Sequence, residues 1–128
     1  MNLSTHLYFT DEHQWARLSA DGQTATIGIS QHAQDALGDI VFVDLPVVGK
    51  TFAQMDVGAV VESVKTAADV FMPLGGEVIE VNEALRADPA LANTDPMDAG
   101  WFMKIKVSPA DTAAELAKLI PEASYHPS

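Results

Sequence analysis

The stretch Glu62-Ser-Val-Lys-Thr-Ala-Ala-Asp69 lies between two apolar runs at residues 57–61 and 70–74. Strand-forming runs on either side of a short polar segment are typical of a β-hairpin. Lys65 is the one basic residue of this region, and we expect it at the hairpin tip, exposed and positively charged among acidic neighbours. Such a lysine is a poor nucleophile unless a partner enzyme activates it.

Strand patterns continue on both sides of this hairpin. Residues 24–29 alternate with a period of two, which predicts an inward face made of Ala25, Ile27 and Ile29. Further strand patterns occur at residues 7–18, 39–46, 77–81 and 101–107, with Trp101, Met103, Ile105 and Val107 on one face of the last. Short strands separated by turns at intervals of about eight to twelve residues predict a β-sandwich or barrel.

Helical signals are fewer. Residues 30–37 have Ser30 as an N-cap and Gly38 as a stop, which predicts one short helix. A C-terminal helix is expected at about residues 108–120, stopped by Pro121 and packed on the sheet. Between the strands we also expect a capped helical turn at residues 82–86, a long structured loop at 87–100 and a loose tail at 123–128. We expect residues 1–128 to form a single domain.

Composition excludes several classes of function. The chain has 128 residues, a formal net charge of −11 and a pI near 4.4. Binding to nucleic acid or to anionic membranes depends on Lys and Arg, so neither is expected. Cysteine is absent from the sequence, which excludes disulfides and thiolate metal sites. The acidic surface either steers the protein towards basic patches on larger partners or serves solubility alone.

The sequence also lacks the patterns of targeting segments and active sites. No signal-peptide pattern, Arg-rich transit segment or run of transmembrane length is present, so we expect a cytoplasmic protein, although a processed organellar form would look the same. No nucleophile motif, phosphate loop or paired carboxylates occur, and we expect no catalysis by the chain itself. The four histidines show no metal-ligand spacing and predict no metal site: His6, His13, His32 and His126.

Several blocks of the chain resemble one family. Glu62-Ser-Val-Lys65 followed by Thr-Ala-Ala-Asp-Val-Phe-Met-Pro-Leu-Gly-Gly is similar to the lipoyl-lysine hairpin of glycine cleavage system H proteins. Other blocks match in the same order: His13-Gln-Trp15, residues 26–34, residues 37–46 and residues 100–106. The resemblance implies a mainly β fold, a lipoyl-domain-like sandwich of two antiparallel sheets with short helices.

The resemblance implies that Lys65 is the attachment point of lipoate, joined to it by an amide. This amide removes the charge of the lysine and places a dithiolane on a long flexible arm. Glu62 and Asp69 are expected to help the lipoylating enzyme recognise the hairpin and to border the arm. The alternative is that Glu62 and Asp69 are ordinary surface acids. Biotin carriers are disfavoured because their lysine usually lies between methionines, whereas Val64 and Thr66 flank Lys65.

The resemblance further implies that the loaded arm folds back into a cleft between the hairpin and the N-terminal region. There the family commonly has His-Glu-Trp, whereas this chain has His13-Gln14-Trp15. A carboxylate pairs with a protonated amine, while Gln14 offers only a neutral amide oxygen. Glu12 is a candidate to compensate, one strand period away on the same face. We expect this chain to hold an aminomethyl group less tightly than relatives with the glutamate.

The function implied is that of a carrier in glycine catabolism and one-carbon metabolism. The lipoyl arm would accept the aminomethyl group from glycine decarboxylase (P protein) and deliver it to aminomethyltransferase (T protein). Dihydrolipoyl dehydrogenase (L protein) would then reoxidise the arm. We expect a monomer. Two alternatives stay open: an H-like carrier that relays lipoyl groups or serves another pathway, and an unmodified interaction module in which Lys65 is only a surface charge.

Overall fold

The computed structural model describes residues 7–125. Two of the histidines, His6 and His126, and the last part of the expected loose tail lie outside the described residues. The strands are β1 Leu7–Phe9, β2 Gln14–Leu18, β3 Thr24–Ile29, β4 Ile40–Asp44, β5 Thr51–Phe52, β6 Val57–Ser63, β7 Ala67–Phe71, β8 Gly76–Val81, β9 Met103–Lys106 and β10 Ile120–Pro121. The helices are α1 Gln31–Leu37, α2 Glu83–Ala87, α3 Leu91–Thr94 and α4 Pro109–Leu116, followed by a 3-10 turn at Glu122–Ser124.

These strands form two antiparallel sheets, as the sequence predicts. The larger sheet has the order β10-β1-β2-β3-β9-β8-β5, and the smaller has the order β4-β6-β7. Side chains from both sheets form one buried cluster, which includes the predicted inward face Ala25, Ile27 and Ile29 of β3. A second, smaller buried cluster of Leu7, Phe9 and Trp15 lies at the β1 and β2 end of the larger sheet. The inward residues of β6 and β7 belong to the first, larger cluster, and this packing anchors the hairpin.

Helix α1 begins and ends where its sequence signals predict. The Ser30 hydroxyl accepts a hydrogen bond from the Ala33 N–H at 3.1 Å. Gly38 ends the helix with a φ of +78°, a left-handed conformation that glycine adopts without strain. Helix α2 likewise has the predicted cap, because the Asn82 side chain accepts from the Ala84 N–H. The connection from β3 to β4 therefore passes over the end of the sandwich as a rigid helix.

The N-terminal strand prediction is wrong in one respect. Residues 7–18 form two strands rather than one, because the chain turns between β1 and β2 and the two strands then pair. The Thr10 hydroxyl accepts from the backbone N–H groups of Glu12 and Gln14, which stabilises this turn. Glu12 consequently lies in a turn and not one strand period from Gln14.

Three predictions in the second half of the chain also need correction. Helix α4 ends at Leu116 instead of Ile120, because Ile120 leaves the helix and pairs with Phe9 in an edge strand. A short helix, α3, lies within the predicted loop. Trp101 does not share the buried face of β9: it precedes the strand and packs on the smaller cluster, while Phe102 is fully buried in the main core. No helix among residues 7–125 is long and apolar enough to span a membrane.

Candidate functional site

The hairpin tip is built around Ser63. The Ser63 N–H donates to the Thr66 carbonyl at 2.8 Å, which closes a turn with Val64 and Lys65 at its centre. The Ser63 hydroxyl accepts from the backbone N–H groups of Lys65 and Thr66, at 3.2 and 3.1 Å. The Val64 N–H donates to the Asp39 carbonyl at 3.0 Å, which ties the tip to the segment before β4. The backbone of Lys65 is therefore held while its side chain is exposed.

The side chain of Lys65 lies over Gly38 at the end of α1. A methyl group placed on Gly38 would be 3.1 Å from the Lys65 Cε atom and 3.7 Å from its Nζ atom. Asn93 ties Gly38 to α1, since its side-chain amide donates to the Gly38 carbonyl at 2.8 Å and to the Gln34 side-chain oxygen at 2.9 Å. Within residues 7–125, the ammonium of Lys65 has no carboxylate within ion-pair distance. The exposed side chain of Lys65 thus lies beside the C-terminal end of α1.

A cleft of about 220 Å³ lies between α1, the first residues of β2 and the hairpin strands. Its apolar wall consists of Ile29, Ala33, Ala36, Leu37, Val61, Ala68 and Val70. Its polar residues are Glu12, His13, Gln14, His32 and Asp69. Leu37, one of the wall residues, directly precedes Gly38, the glycine that the Lys65 side chain lies over. An apolar cavity with a few polar groups is the usual form of a small-molecule site.

Three of the four residues predicted to accompany Lys65 meet in this cleft. Gln14, Glu12 and Asp69 line it, on the β2 end, the preceding turn and β7 respectively. Glu62 is not among the lining residues: it is exposed on β6, where it pairs with Ala67 of β7. Glu62 and Asp69 therefore occupy different surroundings, although the sequence suggests similar roles for both.

Gln14 is almost fully buried, with 4% of its surface exposed. Its side-chain oxygen accepts a hydrogen bond from the Thr10 hydroxyl at 2.6 Å, and Thr10 itself is buried. The Gln14 side chain is therefore neutral, and its oxygen already has one donor. A carboxylate at this position would keep the Thr10 bond and add a full negative charge to the cleft.

The sequence analysis missed a pair of histidines at the cleft. His13 and His32 both line it, and their ring centroids are 4.3 Å apart. Burial and the neighbouring His32 lower the pKa of His13 below its ordinary value, although Glu12 and Asp11 act in the opposite direction. The signal for this pair is weak in the sequence, because the two residues lie in different blocks and meet only when α1 packs beside the β1–β2 turn.

The lowered pKa of His13 predicts a pH-dependent stability. Because the unfolded chain keeps the ordinary value of about 6.5, it binds more protons than the folded chain near that pH. The contribution of His13 to the free energy of unfolding is therefore fully present above about pH 6.5, and it decreases as the pH falls below that value. Asparagine tolerates a left-handed backbone conformation. In urea unfolding, His13→Asn should therefore reduce the fall in the free energy of unfolding between about pH 7.5 and 5.5. An equal fall in both proteins would contradict this.

The chain is similar to proteins of one known family. The family model of the glycine cleavage H-protein matches residues 7–127. Glycine cleavage system H protein 2 of Pseudomonas syringae pv. tomato is 55% identical over 124 residues, which are 97% of this chain and 94% of that relative. The glycine cleavage system H protein of Chromobacterium violaceum is 52% identical over the same shares.

A solved structure supports the fold assignment. The crystal structure of a glycine cleavage system H protein from Mycobacterium marinum has a TM-score of 0.81 and 32% sequence identity, and covers 93% of this chain and 92% of its own. The sandwich of two antiparallel sheets predicted from the sequence is thereby confirmed. With the family model and the relatives in agreement over nearly the whole length, the chain belongs to the glycine cleavage H-protein family.

Proposed function

We propose that this protein is the lipoyl carrier of a glycine cleavage system, with lipoate joined by an amide to the Nζ atom of Lys65. The observation that carries the proposal is that Lys65 lies at a hydrogen-bonded hairpin tip, with its side chain over the end of α1, a helix that lines a largely apolar cleft. Lipoate on this lysine would supply a disulfide ring that accepts the aminomethyl group of glycine, yields it to aminomethyltransferase and is reoxidised by dihydrolipoyl dehydrogenase.

The residues around Lys65 fit such a group. Gly38 leaves open the space along which the lysine stem lies, since a methyl group there would come within 3.1 Å of the Lys65 Cε atom. The apolar wall of the cleft, which includes Ile29 and Val70, fits a hydrocarbon chain with a disulfide ring. Moving such apolar surface out of water is favourable. The polar residues Glu12, Gln14 and Asp69 offer acceptors to a terminal amine. The cleft can therefore hold the arm and keep water from its end.

We assign different roles to the two acids of the hairpin. Asp69 borders the arm, because it lines the cleft. Glu62 is exposed on the hairpin outside the lining of the cleft, where a lipoylating enzyme that encloses Lys65 would meet it. The negative surface, with a net charge of −11, supports electrostatic steering towards basic patches on the partners.

The partners in this proposal are glycine decarboxylase, aminomethyltransferase, dihydrolipoyl dehydrogenase and a lipoylating enzyme. The protein acts as a non-catalytic, monomeric subunit that visits each of them in turn. The cytoplasmic location expected from the sequence stays a prediction.

Gln14→Glu should lengthen the lifetime of the loaded protein. A carboxylate at this buried position would bind a protonated amine by a charge-assisted hydrogen bond, and we expect the aminomethyl group to be lost to water about tenfold more slowly. Gln23→Glu, on the exposed β2–β3 turn, changes the net charge equally and is the matched control. Equal rates of loss for Gln14→Glu and the wild type would contradict the proposed contact.

A reconstituted assay tests the proposed function. The lipoylated protein is mixed with the three enzymes, glycine, tetrahydrofolate and NAD, and NADH formation is measured. We expect glycine-dependent NADH formation that requires this protein and is absent with its unlipoylated form. If the lipoylated protein supports no turnover while a reference H protein does, the alternative of a lipoyl relay or another pathway replaces the proposal.

A further inference from the structure

Exposed apolar side chains concentrate on the smaller sheet and its loops. Among residues 7–125, eight large apolar side chains are exposed, and only two of them lie elsewhere: Met55 in the β5–β6 turn and Ile79 on β8. The other six lie on β4, on β6, at the hairpin tip or in the loop after β4: Val41, Phe42, Val47, Val48, Val57 and Val64. Single exposed apolar residues are common on protein surfaces, but a group on one side of the molecule is typical of an interaction surface.

A β-bulge exposes two consecutive residues of β4. The register with β6 shifts between Ile40 and Phe42, so Val41 is an extra residue in this strand. Ile40 is buried, whereas Val41 and Phe42 are 56% and 50% exposed. Bulges re-aim side chains in this way and are frequent next to functional sites. A branched aliphatic side chain and an aromatic ring are thus both presented to solvent on an edge strand.

The outer face of the smaller sheet alternates apolar and acidic side chains. Residues directly opposite one another share a face. Two rows of such partners cross the sheet from β4 to β7, and all but the partly buried Val60 are exposed: Phe42, Glu62 and Ala67, then Asp44, Val60 and Asp69. The three strands contain no Lys or Arg, and their carboxylates form no ion pair among residues 7–125. The face is therefore both apolar and negatively charged.

This face is continuous with the lysine tip. Val64 directly precedes Lys65, and its side chain is 66% exposed. Its backbone N–H donates to the carbonyl of Asp39, the residue before β4, which brings the tip beside the start of that strand. Glu62 of the first row is three positions before Lys65. A protein that touches the tip therefore meets this face as well.

Charge and access distinguish between possible occupants of the face. A second copy would bring the same carboxylates against it, and the net charge of −11 opposes that contact. The bulge also interrupts the edge on which a strand of a second copy would pair. An enzyme that acts on the end of a long arm can stay away from the tip. An enzyme that acylates the Nζ atom of Lys65 has to contact it.

We infer that a docking face formed by Val41, Phe42, Val64, Asp44 and Glu62 binds the lipoylating enzyme to the unlipoylated protein. The surface that fits it has an apolar pocket for the Phe42 ring, surrounded by Lys and Arg side chains that pair with the carboxylates. This inference rests on the proposed function and adds an apolar contact to the role assigned there to Glu62. Aromatic side chains near the centre of an interface contribute much of the binding energy, so the largest effect is expected at Phe42.

The first test measures binding without lipoylation. The Lys65→Arg protein is titrated with the lipoylating enzyme in a calorimeter, and the same titration is repeated with Phe42→Ser added. We expect the second change to weaken binding about tenfold. Ile79→Ser is the matched control, because it removes an apolar side chain of similar exposure from the larger sheet. An unchanged dissociation constant for the Phe42→Ser protein would overturn the inference.

The second test measures lipoylation kinetics with Lys65 in place. Phe42→Ser should raise the KM for the protein about tenfold and leave kcat nearly unchanged, because it removes binding that the ground and transition states share. The urea midpoint shows whether the variant is folded, and if it is not, Val41→Ser replaces it with an expected increase of several-fold. A fall in kcat at an unchanged KM would overturn the docking role.

The outcomes separate this inference from the proposed function. Equal lipoylation kinetics for the wild type and Phe42→Ser would overturn the docking face and leave the carrier function intact. If the wild type is not lipoylated under conditions that modify a reference H protein, both fail. Sedimentation velocity of the unlipoylated protein tests the other occupant. A wild-type dimer that Phe42→Ser dissociates would show that the face binds a second copy and would overturn the inference.

Discussion

Lys65→Arg is expected to abolish lipoylation and, with it, all glycine-dependent NADH formation in the reconstituted system. An arginine keeps the positive charge and the length of the side chain, but its guanidinium stays charged and cannot become the neutral amine that forms the amide. Because Lys65 is exposed, the free energy of unfolding should change by no more than about 0.5 kcal/mol. The loss would thus be chemical and not a consequence of unfolding.

Lys50→Arg is the matched control for this variant. Lys50 is also exposed, and it lies outside the hairpin and the cleft. We expect the Lys50→Arg variant to gain one lipoyl group and to support the same activity as the wild type. Lipoylation of Lys65→Arg at another lysine, or activity of that variant, would show that the carrier chemistry does not depend on Lys65.

Trp15→Ala should have the largest effect on stability. The indole is fully buried, and its N–H donates to two backbone carbonyls, those of Ile29 at 2.9 Å and Pro96 at 3.0 Å. Gly28 provides the space for the ring, since a methyl group there would come within 2.7 Å of it. Truncating a buried tryptophan costs roughly 3–5 kcal/mol, and both carbonyls would also lose this donor.

The free energy of unfolding from urea titrations measures this loss. Trp15→Phe keeps one aromatic ring but removes the N–H and part of the ring volume, so we expect an intermediate cost of about 1–3 kcal/mol. Val41→Ala, at a position that is 56% exposed, should be close to neutral. A cost below about 1 kcal/mol for Trp15→Ala would contradict the anchoring role of the indole.

The same tryptophan connects stability to the site. It follows Gln14 in β2, and its two hydrogen bonds tie β2 to the residue before the α1 cap and to the segment after α3. Weakening this contact should loosen the start of β2 and the turn before it, which form one side of the cleft. We therefore attribute part of the rigidity of the cleft to the smaller core cluster.

Local patterns predicted much of the fold. The alternation of apolar residues in β3, the apolar runs of the hairpin and the caps of α1 are all patterns within a few neighbouring positions, and the structure confirms them. The end of α4 could not be predicted this way. Ile120 pairs with Phe9 at the other end of the chain, and such a contact leaves no local signal.

The site shows the same division. Lys65 stands out locally because it is the single cation of an acidic hairpin, and the resemblance to H proteins pointed to Gln14, Glu12 and Asp69, which the structure brings together in one cleft. The pairing of His13 with His32 at the cleft was missed, because the two rings meet only across the fold. Glu62, by contrast, is only three positions before Lys65 in sequence and yet does not line the cleft.

The intact mass of the protein after expression with lipoate and a lipoylating enzyme, followed by mapping of the modified peptide, tests the central claim most directly. The account predicts one added lipoyl group, located on Lys65. An unmodified Lys65, under conditions that fully modify a control H protein, would contradict it and leave the interaction-module alternative in its place.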